Sequence, residues 1–380
     1  MGMVTPSAIL TISQFTILNS ELACNTPTMK SVITGSGIAL PPHIVTNDQL
    51  SRIMDTSDEW IRTRSGIEQR HFAVPGQGSA ELGSMAAEAA IRDAGLQPED
   101  IDVVVFATMT PDHVLPGNGP LLQKRIGLRQ VPTFDIRQQC SGFLYGLDLA
   151  DSLLRSGKFE RVLLVGAETH SGFMPWDQGW KVVLGLSDEE PDDAEKAWNT
   201  LSRDRTVLFG DAAGAVVVEK RENGAAGLLR TRLYTDGGGA EALTMHGASF
   251  KQRPFVTKEQ IAAGETIPVM NGREVFKTAV TLMPQAVREV CADEGVTVED
   301  LDLVLVHQAN LRIIEGVQKQ LGLPAEKVPH NIERYGNTTA ATLPLLFHEC
   351  RQNGLAGPGK LIAFTALGSG LHWGAALYRV

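Results

Sequence analysis

Cysteine is scarce in this chain. Four occur in 380 residues (Cys24, Cys140, Cys291 and Cys350), and no two form a Cys-x-x-C pair. That spacing argues against a thiolate metal cluster and a disulfide framework. No metal is expected, and a reducing, cytoplasmic compartment is. Positive charge is also short: 34 Lys and Arg against 44 Asp and Glu give a formal net charge of −10. Such a balance speaks against non-specific nucleic-acid binding. No apolar run reaches the length of a membrane span. The first 28 residues contain no Lys or Arg, so the basic region of a signal peptide is missing. They read as a flexible extension before a domain that begins near Met29. What remains is ordinary for a soluble globular enzyme: 43% hydrophobic and 21% charged residues, in a chain long enough to bury a large core.

The chain is written twice. Residues 93–105 can be laid over 293–305, an offset of 200, with Asp, Gly, Glu, Asp and Asp repeated at matching places. Each copy ends a helix at glycine, passes an acidic connection and enters a continuous aliphatic run, the pattern of a strand buried on both faces. Gly127-Leu128 then leads to Val131-Pro132 and Cys140, and Gly322-Leu323 leads to Val328-Pro329 and Asn337. Cys140 and Asn337 therefore read as equivalent positions, each opening a helix. Helical patterns over 81–94 and 143–154 alternate with strand patterns over 162–166, 214–219 and 361–365. The implied fold class is α/β, with duplicated βαβ halves (29–220 and 221–380) and mainly parallel central sheets. Helices packed between two such sheets would make five layers, α-β-α-β-α. An irregular segment, 171–203, carries Trp176, Trp180 and Trp198 beside an acidic patch. It reads as a surface excursion or as a flap walling a binding site, and the three indoles favour the flap. Pro191 is expected in the first turn of a helix there.

Three motifs carry chemistry. Cys140, in Gln139-Cys140-Ser141-Gly142-Phe143, stands between a strand and a helix. A thiol at a helix N-terminus is expected to gain thiolate character and to attack a thioester; the bland alternative is a buried structural cysteine. His307 follows the strand pattern over 303–306, at the carboxyl end where catalytic groups collect in open α/β sheets. Asn337 lies in a Gly336-Asn337-Thr338-Thr339 turn, where a cap or turn asparagine is the alternative. Gly368-Ser369-Gly370 is either an oxyanion-binding turn or a plain tight one.

These motifs, with Thr56-Ser57-Asp58-Glu59-Trp60-Ile61, Arg64-Ser65-Gly66-Ile67, Phe209-Gly210-Asp211 and Trp373-Gly374, resemble those of β-ketoacyl-acyl-carrier-protein synthase III, in the thiolase superfamily. The likeness runs over 30–380. It implies a Cys140, His307 and Asn337 triad that condenses an acyl-CoA with malonyl-acyl-carrier protein through an acyl-cysteine. His307 and Asn337 would donate to the malonyl thioester oxygen, and the backbone N–H groups of Cys140 and Ser369 would hold the second oxyanion. The resemblance also places Trp60 and Arg203 about the CoA adenine and Arg64 near its phosphates. Arg273, Lys277, Arg312 and Lys319 fall on or beside the surface that docks the acidic carrier protein. It implies a homodimer and no tightly held cofactor. Two departures stand out. The connection before Arg203 is about twenty residues longer than is usual for the family. Leu115 and Leu367 also replace common aromatics of the acyl pocket, so a primer longer than acetyl is expected. Relatives with this triad perform other second steps, among them acyl transfer and non-decarboxylative condensation. A cysteine hydrolase is the nearest reading of another class.

Overall fold

The computed structural model describes residues 29–222 and 224–380. The extension over 1–28, with Cys24, lies outside the described residues. Strands β1 (Met29–Ala39), β2 (Val103–Ala107), β3 (Thr133–Ile136), β4 (Arg161–Glu168) and β5 (Ala212–Glu222) form a five-stranded sheet in the order β1-β5-β4-β2-β3. Strands β6 (Gly227–Thr235), β7 (Leu303–Val306), β8 (Leu361–Gly368) and β9 (His372–Arg379) form a second sheet in the order β7-β8-β9-β6. Every residue of β2 and β7 is buried, which is why both read as unbroken aliphatic runs.

Six helices position the site: α1 (Asp58–Ser65), α2 (Ser79–Asp93), α3 (Gly142–Arg155), α4 (Gly272–Asp293), α5 (Leu311–Leu321) and α6 (Thr342–Gln352). Helix α2 covers the outer face of the first sheet, and α4 with α5 covers that of the second. Between the sheets lie α3 and α6, where Phe143, Leu144 and Leu147 meet Leu343, Leu346 and Phe347. The five layers follow from this burial; each such side chain contributes roughly 1.5–3 kcal/mol.

The duplication is visible in the register. Val103 pairs with Val162, and Leu303 pairs with Ile362, the same step repeated 200 residues on. Asp102 accepts the Arg161 N–H at 2.9 Å, as Asp302 accepts that of Leu361 at 2.8 Å. Two expectations are corrected. The sheets are mixed rather than mainly parallel: β2 pairs parallel with β3 and β4, and β7 with β8. The pairs β1–β5, β4–β5, β8–β9 and β6–β9 are antiparallel. The β8–β9 connection is a short turn, which cannot return the chain in parallel. The structural counterpart of Cys140 is Ala340, not Asn337. Gln139 (φ 46°) and Thr339 (φ 50°) both adopt left-handed backbone, and each opens a single 3-10 turn that feeds α3 or α6. The second half has a short helix, Ile332–Tyr335, where the first has β3, so counting from the preceding glycine loses register. A non-glycine residue in that region stores about 1–3 kcal/mol of strain, and such strain gathers at functional sites.

The long insertion is docked rather than loose. Trp176 is buried, and its ring packs against Trp180 at 5.0 Å and Phe72 at 6.1 Å. Asn199 Nδ2 donates to the Ile53 carbonyl at 3.0 Å, and the Asp55 N–H donates to Thr200 Oγ1 at 2.9 Å. The indoles of Trp176 and Trp180 thus join the insertion to the main core through Phe72. Pro191 precedes the capping Asp192 of the helix Asp193–Leu201 instead of entering its first turn.

Candidate active site

Cys140 occupies the 3-10 turn Gln139–Ser141 and is 7% exposed. Gly368, at the end of β8, lies against it. A Cβ there would fall 2.9 Å from the Cys140 nitrogen, so only glycine lets the Gly368-Ser369-Gly370 turn approach that amide. Burial pushes the Cys140 thiol up to about 12, and the negative field of Glu168 adds to this. The expected thiolate is therefore not the resting form. Desolvation disfavours the charged sulfur, so the proton leaves during attack.

His307 follows β7 and is also buried. Burial drives its basicity down to about 3, so the imidazole is neutral. Its Nδ1 lies 2.7 Å from the Thr342 hydroxyl at the start of α6. Its Nε2 is buried without a partner among the described residues. Asn337 is held by three bonds. Its N–H donates to the Leu208 carbonyl at 2.8 Å, its carbonyl accepts from Gly210 at 3.1 Å, and its Oδ1 accepts the Thr339 N–H at 2.9 Å. With Oδ1 occupied, Nδ2 is the end left to donate. Cys140, His307, Asn337 and Ser369 line one cavity of about 650 Å³, whose walls include Leu243, Met270, Val275 and Leu367. A buried thiol, a neutral imidazole and a carboxamide around one apolar space suit acyl transfer through sulfur and charge stabilisation on oxygen.

Models of the family described as "3-Oxoacyl-[acyl-carrier-protein (ACP)] synthase III" match residues 134–188 and 191–237, and its C-terminal part matches 291–380. A β-ketoacyl-acyl-carrier-protein synthase III of Rhizorhabdus wittichii is 39% identical over 350 residues, covering 92% of this chain and 99% of the relative. The chain belongs to the 3-oxoacyl-acyl-carrier-protein synthase III family. The crystal structure of the Aquifex aeolicus synthase III is 39% identical, with a TM-score of 0.78, over 92% of this chain and 100% of that one. The synthase III structure from Pseudomonas aeruginosa PAO1 is 35% identical, also with a TM-score of 0.78, over 92% and 98%.

Against this synthase III frame the other expected residues separate. Trp60 and Arg64, on α1, line the cavity mouth, and the Arg64 guanidinium lies 4.4 Å from the indole centroid. Arg203 lies 4.8 Å from the same ring, although the long insertion precedes it and the side chain does not line the cavity. Arg312 lines the mouth and donates to the Thr63 carbonyl at 2.5 Å. Arg273, Lys277 and Lys319 are exposed on α4 and α5, outside the lining. Leu367 is buried in the wall, whereas Leu115 is 83% exposed on the surface of this chain. The insertion's three tryptophans do not line the cavity, but Phe173 and Met174 within it do, as do the flanking His170 and Asp204 to Phe209.

Sequence reasoning passed over His170, Thr342 and Glu168. His170 is buried in the cavity wall, stacked on Phe209 with centroids 3.5 Å apart, and its Nδ1 has no partner among the described residues. Glu168, at the end of β4, accepts from the N–H groups of Met109 and Thr110 and from the hydroxyls of Thr108 and Thr110. None carries a local signal, because each matters only through what surrounds it.

The buried imidazole has a measurable consequence. Burial lowers His170 from 6.5 to about 3. Unfolding at acid pH then lets it take up a proton that the folded state does not bind. Its stabilising contribution is complete above pH 6.5 and is lost as pH falls toward 3. Between pH 7.5 and 5.5 the loss is about 1.4 kcal/mol. Glu168 and Asp211, raised by burial to about 7 and 6, act in the opposite direction, so the readout is the difference between two proteins. Denaturant titrations of wild type and His170→Phe at both pH values should show the variant losing less stability, or gaining more, by that amount. Equal pH responses would refute a neutral, buried His170.

Proposed function

We propose that the enzyme condenses an acyl-CoA with malonyl-acyl-carrier protein, with loss of CO2, to give β-ketoacyl-acyl-carrier protein. The observation that carries this is the convergence of a buried thiol, a neutral imidazole and an oriented carboxamide on one apolar cavity. Cys140 sulfur attacks the acyl-CoA carbonyl. The bond to CoA sulfur breaks, and CoA leaves as the thiol with the proton Cys140 gave up. The malonyl thioester then loses its carboxylate as CO2, and the electron pair passes to the enolate oxygen, held by Asn337 Nδ2–H and His307 Nε2–H. The enolate carbon attacks the acyl carbonyl, whose oxyanion accepts from the N–H groups of Cys140 and Ser369. Collapse breaks the carbon–sulfur bond, and Cys140 recovers a proton from solvent.

In this reading Trp60 stacks on the CoA adenine, with Arg203 on the ring's other side and Arg64 toward the phosphates. Carrier protein docks on Arg273, Lys277, Arg312 and Lys319 around the mouth. A homodimer forms along β3. That strand ends its sheet, carries the half-exposed Phe134, and lies in the first half with the exposed Val114 and Leu115. Leu115 then reaches the partner's cavity. No tightly held cofactor takes part.

Aliphatic side chains at 115 and 367 leave length for a medium or long primer. Intact-mass measurement should show faster acylation of Cys140 by octanoyl-CoA than by acetyl-CoA, and the adduct should discharge only when malonyl-acyl-carrier protein is added. Preference for acetyl would overturn the chain-length reading. Discharge by water alone would favour the hydrolase, and discharge by a non-decarboxylating acceptor would favour the other acyltransferases of the superfamily.

A further inference from the structure

The donor role assigned to His307 requires its proton to sit on Nε2, and nothing within the imidazole ring ensures that. The ring's other nitrogen decides it. Nδ1 lies 2.7 Å from Thr342 Oγ1, and Oγ1 lies 3.0 Å from the Thr339 carbonyl. A hydroxyl has one hydrogen: it goes to the Thr339 carbonyl when Nδ1 is protonated and donates to Oγ1, and it can go to Nδ1 when Nδ1 is bare. The Thr339 carbonyl already accepts the backbone N–H of Thr342, which closes the 3-10 turn ahead of α6. Nδ1 has Thr342 alone among the described residues, over the shorter distance. With the imidazole proton on Nε2, as the condensing reading requires, the Thr342 hydroxyl is the donor left to serve Nδ1.

We propose that Thr342 is a positioning residue for the condensation: its hydroxyl donates to His307 Nδ1 and so holds the neutral imidazole as the Nε2–H form. The proposal rests on the condensing reading above. Nε2 is buried beside the cavity with no acceptor among the described residues, and the incoming thioester oxygen supplies one. The opposite tautomer would point a lone pair at that oxygen and repel the developing charge. Thr342 can act this way because it is itself fixed. It is 2% exposed, is the first residue of α6, and follows a turn whose geometry is set by the left-handed Thr339.

Two measurements test this. Long-range proton–nitrogen spectra of histidine-labelled wild type, with His307→Gln for assignment, should show Nε2 protonated and Nδ1 bare. A resting Nδ1–H form would overturn the proposal whether or not any variant folds. Thr342→Val keeps the side chain's shape and removes its hydroxyl. It should lower the condensation rate on the order of tenfold to a hundredfold, leave Cys140 acylation within about threefold, and be rescued by Thr342→Ser. Condensation by Thr342→Val at the wild-type rate would also overturn it. Failure of wild type to form an acyl adduct would instead defeat the condensing reading, because the spectra report the tautomer without substrate.

Discussion

Cys140→Ala is expected to form no acyl adduct with any acyl-CoA and to lose at least about 10³-fold in condensation rate. Without sulfur the primer cannot be held covalently beside the enolate, and the reaction reverts to a direct encounter of two thioesters. The substitution is mild for the fold. Cys140 is a small side chain against Gly368, and its truncation costs on the order of 1 kcal/mol. Cys291 and Cys350 remain as internal controls. Both are buried inside helices, α4 and α6, away from the cavity lining. Malonyl decarboxylation should continue in the variant, since its donors are on His307 and Asn337. Intact mass and CO2 release read the two halves separately. A persisting adduct, or turnover at the wild-type rate, would remove Cys140 from the chemistry.

Asn337→Ala should give the complementary pattern: Cys140 acylates at near the wild-type rate, the adduct accumulates, and condensation falls by roughly 10²–10³-fold. The carboxamide contributes only when charge develops on the malonyl oxygen, so its loss belongs to the second half-reaction. The side chain also accepts the Thr339 N–H, and Asn337→Asp separates the two roles. Asp keeps that acceptor but offers an oxygen where a donor is required, so it should condense no faster than Ala. Rapid-quench mass measurement of the acyl-enzyme, before and after malonyl-acyl-carrier protein, gives both rates. Condensation at the wild-type rate in either variant would exclude Asn337 as the enolate's donor.

Much of the molecule was legible before any coordinates. The 200-residue repeat reappears as register, Val103 on Val162 and Leu303 on Ile362, because buried strands demand aliphatic runs whose order is local. Cys140, His307 and Asn337 were identifiable because each sits beside turn residues at an element boundary, and the structure brings all three to one cavity. The misreadings share a cause. The equivalence of Cys140 with Asn337 failed because the connections of the two halves differ, a short helix replacing β3. The tryptophans were the wrong sign of a flap: Trp176 and Trp180 pack on Phe72 to hold the insertion in place, and Phe173 and Met174 are the insertion residues that wall the cavity.

Residue order by itself determined the α/β class, the duplication and the reactive side chains, since periodicity, turn chemistry and functional groups are properties of short stretches. Tertiary structure alone decided the desolvation of Cys140 and His307, the contact between Thr342 and Nδ1, the stacking of His170 on Phe209 and the two arginines about Trp60. These depend on desolvation and on partners that are remote along the chain or separated by a loop, and neither can be summed from neighbours in sequence.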